Sequence, residues 1–343
     1  MIRLVSVLVF AFSLIVSTAL AQPGPGGMPK MGPMSDGSGP YAVAIVEGDP
    51  GLPDHTIYRP KDLSPFSKSN PMPVLAWGNG GCSSSSRMHA NFLAEVASHG
   101  FLVLALGPYV AESNAGSGGM MGGSGTKSAQ LLEAIDWATA ENNRSGSKYY
   151  GKLAPSKFAV AGMSCGGLQA LEVAPDPRVK TLMVMNSGLF GEGGRPKMGP
   201  PKEGMPKMGA PKEGMPKMGP PKEGMPKGGG APLMGMPAVG KEVLAKLHSP
   251  TIYIIGGETD IAYPQAIDDF AKIDKVPVAI ANLEKVGHGG TYSQPNGGEF
   301  GVVATAWLKW QLEGDKNSGK MFTGSDCGLC TRKGWTYEKK KIP

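Results

Sequence analysis

Six short runs along the chain are almost continuously apolar: residues 74–77, 101–106, 158–161, 181–185, 251–255 and 278–281. A strand with one face in water alternates apolar and polar positions, so runs without that alternation predict strands covered on both faces, as in a parallel sheet. Between and after these runs, apolar residues recur at helical spacing: Met88, Phe92 and Val96; Leu131, Leu132 and Ile135; Phe300, Val303, Ala304, Trp307 and Leu308. The alternation of strand and helix predicts an α/β domain with a mostly parallel central sheet, right-handed crossovers and helices on both faces. Residues 41–63 are expected to add one or two leading antiparallel strands.

Four segments depart from this pattern. Arg3, an apolar stretch at 4–16 and Ala19-Leu20-Ala21 before Gln22 have the layout of a secretory signal over residues 1–21. The stretch is shorter than the roughly 20 residues of a spanning helix. The expectation is therefore a secreted protein, extracellular or periplasmic, with no stable membrane span once the signal is removed. Residues 22–40, rich in Gly, Pro, Met and Ser, read as a disordered leader. Within a low-complexity insert at 191–240, PKEGMPKMGA, PKEGMPKMGP and PKEGMPKGGG follow one another at 201–230, a Pro/Gly period that fits extended or mobile coil. Residues 331–343 form a basic tail, leaving one α/β domain at 41–330, interrupted by the insert.

Charge and cysteine content narrow the function classes. The formal net charge is +6, yet residues 191–240 and 331–343 each carry a net +4, so everything else together carries −2. Basicity confined to an insert and a tail forms no recognition patch, and no nucleic-acid partner is expected. Cys82, Cys165, Cys327 and Cys330 all lie beyond the signal, so export predicts disulfides, with three connectivities open. Met205/Met208 and Met215/Met218 are pairs whose thioethers suit Cu(I), but the tract holds no His or Cys to complete a site, and a flexible spacer is the simpler reading. Asn143-Arg144-Ser145 is a glycosylation sequon, relevant only in a eukaryotic secretory route.

Ligands of open parallel sheets bind beyond the carboxyl ends of the strands, so chemistry belongs just after the apolar runs. Ser164, in Gly162-Met163-Ser164-Cys165-Gly166-Gly167, occupies a strand-to-helix turn of the kind that presents a nucleophile. Its hydroxyl needs a base. Of five histidines, His288 in Gly287-His288-Gly289 alone follows the last run on the useful side. Gly256-Gly257-Glu258-Thr259-Asp260 supplies an acid to orient it, with Asp260 favoured over Glu258. Gly78-Asn79-Gly80-Gly81-Cys82 suits an oxyanion hole, with donors expected at the N–H of Gly81 or Cys82 and at that of Cys165.

With these motifs in the order Ser, acid, His, the chain resembles the α/β-hydrolases over residues 41–330 outside the insert. It is most similar to the secreted esterases around dienelactone hydrolase, chlorophyllase and the bacterial polyester hydrolases. The resemblance implies an α/β-hydrolase fold, a serine esterase acting on small-molecule or lipid-like esters, and no metal or organic cofactor. Asn79 departs from the usual oxyanion histidine. Gly81 and Asn186-Ser187 stand where polyester hydrolases carry aromatic residues, which argues against a polymer substrate. On this footing Cys82 and Cys165 come from the two oxyanion loops, so a disulfide between them would fix both donors, while Cys327 and Cys330 read as a local staple. Two alternatives stay open: an acyltransferase using the same triad, and a non-catalytic binding protein with a metal-handling repeat.

Overall fold

The computed structural model describes residues 34–109, 125–191 and 236–343. The signal-like segment, residues 22–33 of the leader and the methionine repeats lie outside the described residues. Among the described residues nine strands form one sheet: β1 (Val43–Val46), β2 (His55–Pro60), β3 (Met72–Gly78), β4 (Leu102–Leu106), β5 (Leu153–Met163), β6 (Val179–Met185), β7 (Thr251–Ile255), β8 (Val278–Leu283) and β9 (Trp335–Lys340). Among the same residues seven α-helices accompany them: α1 (Ala90–Ser98), α2 (Ala129–Asn143), α3 (Cys165–Val173), α4 (Tyr263–Lys272), α5 (Gly298–Leu308), α6 (Lys316–Gly319) and α7 (Gly328–Thr331). The spatial order is β1-β2-β4-β3-β5-β6-β7-β8-β9.

The six apolar runs become β3 to β8, and these pair in parallel throughout. β1 and β2 lead in antiparallel, as expected of residues 41–63. The reason the runs lack polar positions is visible in where alternate side chains go. Val74, Ala76, Phe158, Val160, Leu182 and Val184 enter one core with residues of α2 and α3. Leu75, Trp77, Ala159, Ala161, Met183 and Met185 enter a second with α1 and α5. Successive strand residues point to opposite faces, so two cores require an apolar residue at every position. The order β4-β3-β5 means that the chain runs outward from β3 and then crosses back, which opens a crevice at the carboxyl ends of β3 and β5.

Two expected margins of the domain are revised. The basic tail is largely the edge strand β9, antiparallel to β8 over six paired residues from Val278↔Lys340 to Leu283↔Trp335. Trp335 packs on Phe300 and Lys340 Nζ lies over the Phe270 ring, so residues embedded in a charge run still have apolar partners. The leader is also ordered where it is described, at residues 34–40. The α1 residue Glu95 accepts from Ser38 N–H at 2.7 Å and Ser38 Oγ at 2.6 Å, and Ser98 Oγ accepts from Gly39 N–H at 2.9 Å. Backbone that lacks apolar burial is held here by a buried helix carboxylate.

The described residues flanking the insert meet at one side chain on α4. Asp269 accepts from Leu189 N–H at 2.8 Å and pairs with Lys241, which also pairs with Asp268 at 2.6 Å. Deleting residues 196–230 should therefore leave a cooperative unfolding transition and a soluble protein, because long insertions add little closure entropy; calorimetry of the deletion variant checks this. Burial pushes the Asp269 carboxyl from its ordinary 3.8 up to about 6, against the opposing pull of Lys241, Leu189 N–H and Tyr253. An acid with a higher pKa in the folded than in the unfolded chain holds its proton more tightly when folded, so its contribution to stability declines as pH rises across that interval. Denaturant titrations should show this decline in the wild type, and Asp269→Asn should remove that component of the pH dependence.

Candidate active site

The turn between β5 and α3 is shaped by what can fit inside it. Ser164 takes φ 54° and ψ −117°, a conformation that costs a residue with Cβ on the order of 1–3 kcal/mol. It is held by backbone bonds: Ser164 N–H donates to Met185 C=O at 2.9 Å, and Ser164 C=O accepts from Gly167 N–H at 2.9 Å. Gly162 and Gly166 make this possible by close approach. A Cβ on Gly166 would lie 2.1 Å from the Gly78 carbonyl at the end of β3, and one on Gly162 would lie 2.2 Å from Gly166 O. The first turn of α3 thus wedges against the ends of two strands, with Ser164 at its mouth.

His288 arrives from the loop after β8. That loop is laced to the end of β7, with Val286 N–H donating to Gly256 C=O at 3.1 Å. The imidazole bridges two partners. Nε2 lies 3.0 Å from Ser164 Oγ, and Nδ1 lies 2.6 Å from Asp260 Oδ1. A buried carboxylate accepts but does not donate, so the proton sits on Nδ1 and the Nε2 lone pair faces the hydroxyl. The His288 side chain is 27% exposed and that of Asp260 is 0% exposed, which gives a line running from the solvent side into the core.

Asp260 pairs with four donors. Besides His288, its oxygens accept from Ala262 N–H at 2.9 Å, Gly256 N–H at 3.2 Å and Asn186 Nδ2 at 2.6 Å. Burial alone would raise this carboxyl, but the bonds from His288, Ala262 and Asn186 outweigh it and hold the group below its ordinary value. Glu258, the other acid of the loop, is exposed. The remaining histidines are engaged elsewhere: His55 with the Gln130 carbonyl, His99 with Glu95, and His248 with the Asp176 carbonyl. His89 is buried between the Trp77 and Tyr292 rings, where desolvation pushes its imidazole down to about 4.

The loop after β3 forms a 3₁₀ turn, Gly80–Cys82. Asn79, where an oxyanion histidine was the usual pattern, ties the loop down: its Nδ2 donates to the Ser83 and Leu106 carbonyls, and its Oδ1 accepts from Trp77 Nε1. Cys82 N–H is spent on the Asn79 carbonyl at 3.2 Å, which removes it as a donor. Gly81 and Cys165 lie at the starts of helical turns, where N–H groups have no acceptor within the turn. Two disulfides are formed, Cys82–Cys165 and Cys327–Cys330. Among the described residues no helix is long and apolar enough to cross a membrane, and no group of three or more His, Cys, Asp and Glu is arranged to hold a metal ion.

Three residues bonded to the Ser164–His288–Asp260 line, directly or through Asn186, were missed in the sequence. Asn186 and Ser187 follow β6, a position noted in the sequence for the absence of an aromatic residue. Asn186 sits at φ 43°, fully buried, bonding Asp260 through Nδ2 and accepting from Tyr292 Oη at 2.6 Å through Oδ1. Ser187 Oγ donates to the Ser164 carbonyl at 2.7 Å. The rule that drew attention to strand ends applies equally to Asn186; Tyr292 carries no local signal. No protein-family model and no curated protein matches the chain. Tyr292→Phe leaves the buried Asn186 Oδ1 short of a donor, with an expected loss of about 1–3 kcal/mol in denaturant titration. Asn186→Leu should raise the Asp260 pKa, read as a shifted midpoint in a carboxyl-carbon NMR titration.

Proposed function

We propose that this protein is a serine hydrolase of the α/β-hydrolase kind that cleaves carboxylic esters through an acyl-enzyme. The observation that carries the reading is the hydrogen-bonded line Ser164 Oγ, His288 Nε2 and Nδ1, Asp260 Oδ1, with steps of 3.0 and 2.6 Å. In this reading His288 Nε2 takes the Ser164 proton as Oγ attacks the ester carbonyl. The carbonyl oxygen becomes an oxyanion, stabilised by the N–H groups of Gly81 and Cys165. His288 returns the proton to the departing alkoxide, leaving an acyl group on Ser164. Water then attacks the acyl carbon with His288 again as base, and release of the carboxylic acid restores the hydroxyl. Asp260 stays ionised throughout, fixing the tautomer and stabilising the imidazolium.

The sheet order supports this assignment, since the three groups come from the carboxyl ends of β5, β7 and β8 on one rim of a parallel sheet. Two disulfides support export to an oxidising compartment. A fluorophosphonate probe should label Ser164 in the wild type and leave Ser164→Ala unlabelled. On a panel of esters graded by acyl length, Ser164→Ala should lose at least about 10³-fold in kcat, and Asp260→Asn about 10⁴-fold through the wrong tautomer. Unlabelled wild-type protein that hydrolyses none of the panel would overturn the reading.

A further inference from the structure

The cystine Cys82–Cys165 joins the loop after β3 to the first residue of α3. It joins the residue after one oxyanion donor, Gly81, to the residue that is itself the other, Cys165, across 83 positions of sequence. Both halves are buried. On the loop side the backbone is strained: Gly81 and Cys82 have consecutive positive φ values of 64° and 50°, and the second belongs to a residue with a Cβ. A noncovalent tie exists as well, because Thr126 donates to the Cys82 carbonyl from N–H at 2.9 Å and Oγ1 at 3.1 Å, while Gln169 of α3 donates to the Thr126 carbonyl at 2.7 Å. That tie restrains the carbonyl of Cys82, and the Cys82 N–H is bonded within its own loop to the Asn79 carbonyl; the left-handed pair that carries the Gly81 N–H is joined covalently to α3 through sulfur.

We propose that this cystine is the positioning element of the oxyanion hole, so that the dithiol form is folded but catalytically deficient and becomes competent on oxidation. The inference rests on the hydrolase reading above. Activation needs an oxidant of the disulfide class: one thiolate attacks an external disulfide and expels a thiolate, and the second cysteine then displaces the remaining external sulfur. The balance is two cysteine thiols plus one external disulfide giving the cystine plus two external thiols. Closing the link returns Gly81 N–H to a fixed relation with Cys165 N–H, and preorganised donors act on the transition state more than on bound substrate.

The test uses the full chain carrying Cys327→Ser and Cys330→Ser, which leaves a single cysteine pair. Protein made under reducing conditions is assayed with an activated ester before and after treatment with oxidised glutathione, while thiols are counted from two to none. The expected result is a rise in kcat of about 10²-fold with KM nearly constant, as for recovery of one oxyanion donor, and an unchanged circular dichroism spectrum. Equal kcat in the two forms overturns the proposal and assigns the work to the noncovalent ties of Asn79, Thr126 and Gln169. A dithiol form without native circular dichroism also overturns it, since the link is then a requirement for folding. An oxidised form that is inert to every ester and to fluorophosphonate instead overturns the hydrolase reading, which keeps the two failures apart.

Discussion

A helix can begin hard against the ends of two parallel strands only where its first turn has no side chains to exclude them. That steric condition underlies the rest of this molecule. Gly162 and Gly166 meet it, and a Cβ at either would sit little more than 2 Å from backbone atoms. Because the wedge closes, Ser164 is driven into positive φ, its hydroxyl is held at the rim, and the amide of Cys165 begins a helical turn beside it. The strain is local, while the restoring force comes from the two cores that clamp β3, β5 and β6 in register.

From that rim the polar structure runs inward as a single chain of hydrogen bonds. Ser164, His288, Asp260, Asn186 and Tyr292 are linked in sequence, each step between 2.6 and 3.0 Å. A buried carboxylate is expensive unless its lone pairs are filled, and a half-filled network is worse than none. Here the second oxygen of Asp260 has its own donor in Asn186, whose amide is in turn oriented by the Tyr292 hydroxyl. The first oxygen, held as well by the Ala262 N–H, orients the imidazole.

Much of this was legible before any coordinates. Strands covered on both faces announce themselves as unbroken apolar runs, and residues just past such runs are few enough that Ser164, Asp260 and His288 stand out. Asn186 stood at an equally privileged place, but an amide that serves a carboxylate 74 residues away has no periodicity or spacing of its own. Tyr292 is hidden for the same reason. The tail was misread because net charge dominated a segment, Trp335–Lys340, in which Trp335 is buried and Tyr337 half-buried while the alternate residue Thr336 is exposed and Glu338 is half-buried. The leader was misread because its anchor, Glu95, belongs to a distant helix and looks like any surface acid until its burial is known.

The strand β9 also bears on how the molecule is made. β8, whose following loop carries His288, lies between β7 and β9 in the sheet, and β9, at residues 335–340, follows it only after α5, α6 and α7. While those residues are still within the ribosome, β8 has only one neighbour and its outer row of backbone amides and carbonyls is unpaired. Synthesis of residues 335–340 is therefore the event that seals this half of the sheet, and a chain cut short before them would leave the strand beside the histidine open to pairing with other nascent chains.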